Sequence, residues 1–142
     1  MISQKTSDEL VEEARKAATL AYTPYSNYPV GAAVLTAAGK VYTGCNVENA
    51  SYGLTVCAER VAVWQAVASG ERQIIAVAVA TPNGATPCGA CRQVLAEFAP
   101  AGGDQEMLVI VAGRQGYQSF LLRDLLPHAF LPRHLSSERP IG

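Results

Sequence analysis

Apolar residues at Leu10, Val11, Ala14, Ala17, Ala18 and Ala21 recur three and four apart, which predicts an amphipathic first helix over roughly 7–22. Thr6 and Glu9 stand at capping-box spacing ahead of it, and Pro24 is expected to end it. Residues 30–36 read as a strand, Ala38-Gly39 as a turn, and 40–47 as a second strand of a hairpin. A loop over 49–56 leads to a helix over 57–69, with Gly70 as its C-terminal stop. The run 73–80 is apolar almost without interruption, which suits a parallel strand covered on both faces. A Pro/Gly-rich loop over 81–87, a helix over 88–98, and a break at Pro100 and Gly102-Gly103 follow. Residues 107–112 form another buried-type strand and 113–116 a turn, followed by a short strand and a short helix near 121–126.

Strand–helix alternation in the middle of the chain predicts right-handed crossovers, a largely parallel region, and helices on both faces. The expected fold is an α/β three-layer α/β/α sandwich around a mixed, partly parallel central sheet. It forms one domain over 1–142, with 133–142 as a frayed extension.

Composition narrows the class. With 142 residues, 49% hydrophobic and 16% charged, the chain can bury one core and is not a disordered polymer. Its net charge of −1 offers no basic footprint for nucleic acid. No apolar run approaches the ~20 residues of a membrane span, and the polar, acidic start lacks the apolar stretch of a signal peptide. A soluble, cytoplasmic protein is expected.

Four cysteines, Cys45, Cys57, Cys88 and Cys91, change the picture. In a reducing compartment such clusters serve as metal ligands or redox groups. Cys57 and Cys88 each open an expected helix, where roughly +0.5 charge and unpaired N–H groups favour thiolates. Cys88 and Cys91 are three apart, so they share a helix face and can chelate one ion. Cys57 completes a three-sulfur set if the two helix starts converge, leaving a fourth tetrahedral position open, as at catalytic zinc sites. Glu59 stands two residues beyond Cys57, within reach of that open position. Taken alone, a Cys-x-x-Cys pair equally describes a redox pair or half of a structural zinc site. Cys45 sits inside an expected strand and reads as a buried apolar residue.

Zinc deaminases carry His-x-Glu followed by Pro-Cys-x-x-Cys, with the glutamate as general acid/base. Here Cys57-Ala58-Glu59 precedes Pro87-Cys88-Gly89-Ala90-Cys91, with cysteine in the place of histidine. Together with Pro24-Tyr25-Ser26-Asn27-Tyr28-Pro29-Val30-Gly31, Gly44-Cys45-Asn46-Val47-Glu48-Asn49-Ala50-Ser51-Tyr52 and Leu125-Leu126-Pro127, the chain resembles the small homo-oligomeric cytidine deaminases over about residues 8–132. The resemblance implies zinc-dependent hydrolysis of cytidine and deoxycytidine in pyrimidine salvage. It implies zinc on Cys57, Cys88 and Cys91, with proton transfer by Glu59. By the same resemblance Asn46 and Glu48 hold the ribose 3′-hydroxyl, and Tyr28 lies against the pyrimidine where the family more usually carries phenylalanine. Ala58, and Ala50, Tyr52 and Phe130 lent by neighbours in a homotetramer, complete the implied nucleoside site. Leu131 replaces the glycine that commonly follows Phe130 in the family.

Three thiolates and a divalent zinc ion sum to −1, so a guanidinium on sulfur would restore Lewis acidity. Arg60 is expected in that role and Arg92 as a second donor. Two alternatives stay open at this point. One is a blasticidin-type deaminase of another amino-pyrimidine nucleoside; the other is a non-catalytic structural zinc or redox module.

Overall fold

A computed structural model describes residues 2–100 and 106–135. The first helix, α1 (Gln4–Ala18), starts earlier than its sequence pattern suggests. Ser3, not Thr6, caps it: Ser3 Oγ accepts from the Thr6 N–H at 3.1 Å. Its end also comes early. Thr19 turns its hydroxyl back onto the Lys16 carbonyl at 2.6 Å, and Leu20 is left exposed well ahead of Pro24. Ser7, Leu10, Val11, Ala14 and Ala17 form the buried face.

The expected hairpin is present as β1 (Gly31–Thr36) and β2 (Val41–Cys45), paired antiparallel about Gly39, whose φ of 87° suits glycine. After a 3-10 turn at Tyr52–Leu54 come α2 (Ala58–Ala68), β3 (Ile74–Ala80), α3 (Gly89–Glu97), β4 (Leu108–Ala112) and β5 (Tyr117–Leu121). Single-turn helices α4 (Leu122–Leu125) and α5 (Pro132–Leu135) follow. Gly70 ends α2 at φ 92°, as expected. Of the expected frayed extension, 133–135 belongs to α5, and 136–142 lies outside the described residues.

The five strands among the described residues run in the order β2-β1-β3-β4-β5. The expected largely parallel region shrinks to one pair, β3 with β4. The reason is the hairpin. Strand β1 pairs antiparallel with both β2 and β3, so the α2 crossover joins two strands of like direction with β1 lying between them. The three-layer expectation holds. Alternate residues of β1, β3 and β4 face opposite ways: Val34, Val79 and Val109 toward α2 and α3, Leu35, Ala78 and Ile110 toward α1. No helix among the described residues is long and apolar enough to cross a membrane.

Two strand glycines set how closely the layers approach. A Cβ on Gly31 would stand 1.9 Å from the Ala14 carbonyl oxygen of α1. One on Gly44 would stand 2.5 Å from the Ala62 nitrogen and 2.8 Å from the Ala58 oxygen of α2. Backbone meets backbone at both places. The start of α2, where the chemistry-bearing residues lie, is therefore seated at a fixed depth on the hairpin.

Candidate active site

Cys57 is the N-cap of α2 and Cys88 the N-cap of α3, with Cys91 in the first turn of α3. None of the four cysteines is in a disulfide. The sulfurs of Cys57, Cys88 and Cys91 all lie within 4.8 Å of one another, and Cys57 and Cys88 are 3.9 Å apart. A tetrahedral zinc ion with bonds of ~2.3 Å needs sulfurs about 3.8 Å apart. The three cysteines fit such an ion with little movement. Cys45, half-buried at the end of β2, stands outside the cluster.

Two of the three thiols are shifted from their ordinary range by their neighbours. Cys57 is held down to about 5, first by a hydrogen bond with Cys91 and then, against the cost of burial, by Arg60. Cys91 is pushed up by the same hydrogen bond and by burial. A metal ion bound by the three sulfurs would displace the protons they carry. Arg60 Nη2 donates to Cys57 Sγ at 3.3 Å, while its Nε is buried without a partner.

Glu59 is 5% exposed in the first turn of α2. Burial raises its carboxyl to about 7, with the Cys57 charge adding and Arg60 opposing. A buried carboxyl poised near neutrality, beside sulfurs arranged for a metal, can take and give protons at physiological pH.

Arg92 is a correction. Its guanidinium turns away from sulfur to the Pro87 carbonyl (2.7 Å), the Leu125 carbonyl (2.6 Å) and Thr86 Oγ1 (2.9 Å). It clamps the loop before Cys88 onto α4.

Asn46 and Glu48 are committed to the Tyr25–Val30 segment. Asn46 Oδ1 accepts from the Val30 N–H and its Nδ2 donates to the Tyr28 carbonyl, both at 2.9 Å. Glu48 accepts from the Tyr25 and Ser26 N–H groups and from the Ser26 hydroxyl, which hold its carboxyl below the usual range. Each side chain keeps unused lone pairs or N–H groups for a further partner. Ala58 is fully buried at the start of α2. Ala50 is exposed, and Tyr52 and Phe130 are 74% and 57% exposed. Tyr52 packs edge-on to Tyr25. Phe130 stacks on His134, and its carbonyl accepts from Gln93 Nε2 at 2.7 Å.

Sequence reasoning missed Ser26 and Asn83. Ser26 could have been found from its place in the turn, where a serine hydroxyl reaches nearby backbone. Asn83, whose Oδ1 accepts from the Tyr28 hydroxyl, gave only the turn signal Asn-Gly.

Residues 4–102 match the family described as the cytidine and deoxycytidylate deaminase zinc-binding region. The chain is 48% identical over 124 residues to the cytidine deaminase of Halalkalibacterium halodurans, covering 85% of this chain and 91% of that protein. It is 45% identical over 128 residues to the cytidine deaminase of Mycobacterium tuberculosis, covering 89% and 90%. The crystal structure of cytidine deaminase from Burkholderia pseudomallei is similar with a TM-score of 0.80 at 44% identity, covering 91% of this chain and all of that one.

The purified protein is expected to carry about one zinc ion per chain, coordinated by three sulfurs and one lighter atom. X-ray absorption at the zinc edge checks this; a four-sulfur shell, with Cys45 recruited, would contradict it.

Proposed function

The chain belongs to the cytidine and deoxycytidylate deaminase family with its zinc-binding region, and from that membership we propose that it hydrolyses cytidine and deoxycytidine to uridine and deoxyuridine, releasing ammonia. The observation that carries this reading is a buried carboxyl, Glu59, raised toward neutrality beside three sulfurs spaced for one metal ion. Relatives at 40–48% identity carry the name cytidine deaminase, which favours neither the blasticidin-type substrate nor the structural or redox module.

Cys57, Cys88 and Cys91 would hold the zinc ion, and Arg60 would offset part of their charge. What zinc supplies when bound is Lewis acidity, enough to make water a nucleophile near pH 7. Glu59 takes a proton from water as its oxygen bonds to C4 of the cytosine ring, and passes that proton to N3. It then carries the second proton to the amine as the C4–N bond breaks. Ammonia leaves, and the oxygen remains as the C4 carbonyl. Glu59 ends the cycle as it began, which suits a carboxyl that titrates near neutrality.

Asn46 and Glu48 are assigned to the ribose 3′-hydroxyl through their unused donor and acceptor positions, and Tyr28 to the face of the base. Ala58, at the buried start of α2, is assigned to the pocket floor beside Glu59. The site is completed in a homotetramer by Ala50, Tyr52 and Phe130 of neighbouring copies. Two facts support this. Tyr52 and Phe130 are exposed on the single chain, and so are Tyr22, Tyr25 and Val47, with Tyr22 bridged to Val47 and Tyr25 in ring contact with Tyr52. Four free cysteines suit a reducing, cytoplasmic setting, where the reaction would serve pyrimidine salvage.

Glu59→Gln is expected to keep zinc and fold but to lose at least ~100-fold in turnover. Near-normal turnover in a zinc-replete variant, measured by ammonia release, would place the proton transfer elsewhere. The shared site has its own test. Glu59→Ala and Phe130→Ala chains, each impaired alone, are expected to regain partial activity when co-assembled, because some sites then combine an intact Glu59 with an intact Phe130. Only the summed residual rates, despite confirmed subunit exchange, would show each site to be self-contained.

A further inference from the structure

Tyr28 is held at both ends. Its carbonyl accepts from Asn46 Nδ2, and its N–H donates to Ser26 Oγ at 3.1 Å, whose own proton goes to Glu48. At the far end its hydroxyl meets Asn83 Oδ1, in the loop between β3 and Cys88. The direction of that bond follows from counting protons. Thr81 Oγ1 accepts from the N–H groups of Gly84 (2.7 Å) and Ala85 (3.1 Å), which uses both of its lone pairs. Its one proton is left for Asn83 Oδ1, 3.4 Å away. The Asn83 amide therefore turns its oxygen toward both hydroxyls, and Tyr28 donates. Asn83 is in turn anchored by a β-bridge to Gly113, just beyond β4.

Two loops distant in sequence are tied together by this bond, beyond the strand pairing of Gly31 with Ala80 at their roots. The Thr23–Val30 segment is tied by Asn46 and Glu48 to the end of β2, whereas the loop over 81–87 is tied by Thr81, Gly113 and Arg92 to β3, β4 and α4. We infer that the Tyr28 hydroxyl is a positioning group: through Asn83 it locks the ring that faces the base to the loop that presents Cys88, so the pocket is set before the nucleoside arrives. A phenylalanine would supply the same ring and leave the two loops joined only at their roots, where Gly31 of β1 pairs with Ala80 of β3, and by packing. A pocket already formed spares the cost of ordering it on binding, so the benefit falls on KM more than on kcat. The inference rests on the assignment of Tyr28 to the base.

Steady-state kinetics on the zinc-loaded protein test it with Tyr28→Phe, Asn83→Ala, the double variant, and Tyr28→Leu. Tyr28→Phe and Asn83→Ala are each expected to raise the KM for cytidine about three- to ten-fold, the net worth of one hydrogen bond, with kcat little changed. The double variant is expected to be no worse than the worse single one, because both remove the same bond. Tyr28→Leu should lose more, since the ring goes as well. An unchanged KM in Tyr28→Phe overturns the inference, and so does a double variant in which the two losses multiply. A lower melting temperature with an unchanged KM overturns it too, because the bond would then be structural only. If Tyr28→Phe is normal while Tyr28→Leu is damaged, the tether alone falls. If both are normal, the assignment of Tyr28 to the base falls with it.

Discussion

Negative charge is costly to gather in a folded chain, and here three sulfurs sit within 4.8 Å of one another. The arrangement is offset in several ways at once. Two helix N-termini direct their partial positive charge at the cluster, since Cys57 and Cys88 are the caps of α2 and α3. Arg60 donates to Cys57, and Cys57 and Cys91 are joined by a hydrogen bond. The cost shows in the Arg60 Nε, which is buried without a partner. The rest of the fold serves this convergence. Gly44 lets α2 lie directly on β2, so its first turn is fixed relative to the hairpin that carries Asn46 and Glu48. Arg92 clamps the loop that delivers Cys88.

The same location gives Glu59 its chemistry. Burial raises its carboxyl, and a backbone hydrogen bond first and Arg60 after it limit how far. A more exposed glutamate would stay ionised and be a poor acid. Asn46 and Glu48 have a double part in this account. Most of their hydrogen bonds build the Tyr25–Val30 turn, and only what is left over can meet a sugar. Their loss would therefore disturb the turn as well as any ligand contact.

The sequence made the site more legible than the sheet. Cys57 and Cys88 could be placed at helix starts because each follows a loop and opens an apolar helical run, and both are N-caps. The position of β1 between β2 and β3 was not legible. An apolar run such as 73–80 reports that both faces are covered, not which strand lies alongside. The start of α1 was misjudged because Ser3 and Thr6 are both good caps, and only Ser3 has its oxygen on the helix N–H groups. Its end was misjudged because Leu20 and Ala21 continue the apolar spacing after the chain has left the helix. Arg92 looked like a partner for sulfur from its place beside Cys91, yet a long side chain reaches whichever acceptors the tertiary fold presents. The pairing of Tyr28 with Asn83, 55 residues apart, exists only once the two loops meet.

The most direct measurement of the central claim is the ultraviolet absorbance of cytidine incubated with the purified protein, followed before and after chelation. The account predicts conversion to the uridine spectrum with one ammonia per cytidine, arrest when zinc is removed, and recovery when zinc is returned. Cytidine left unchanged by zinc-replete protein, or conversion that continues after zinc is fully removed, would contradict it.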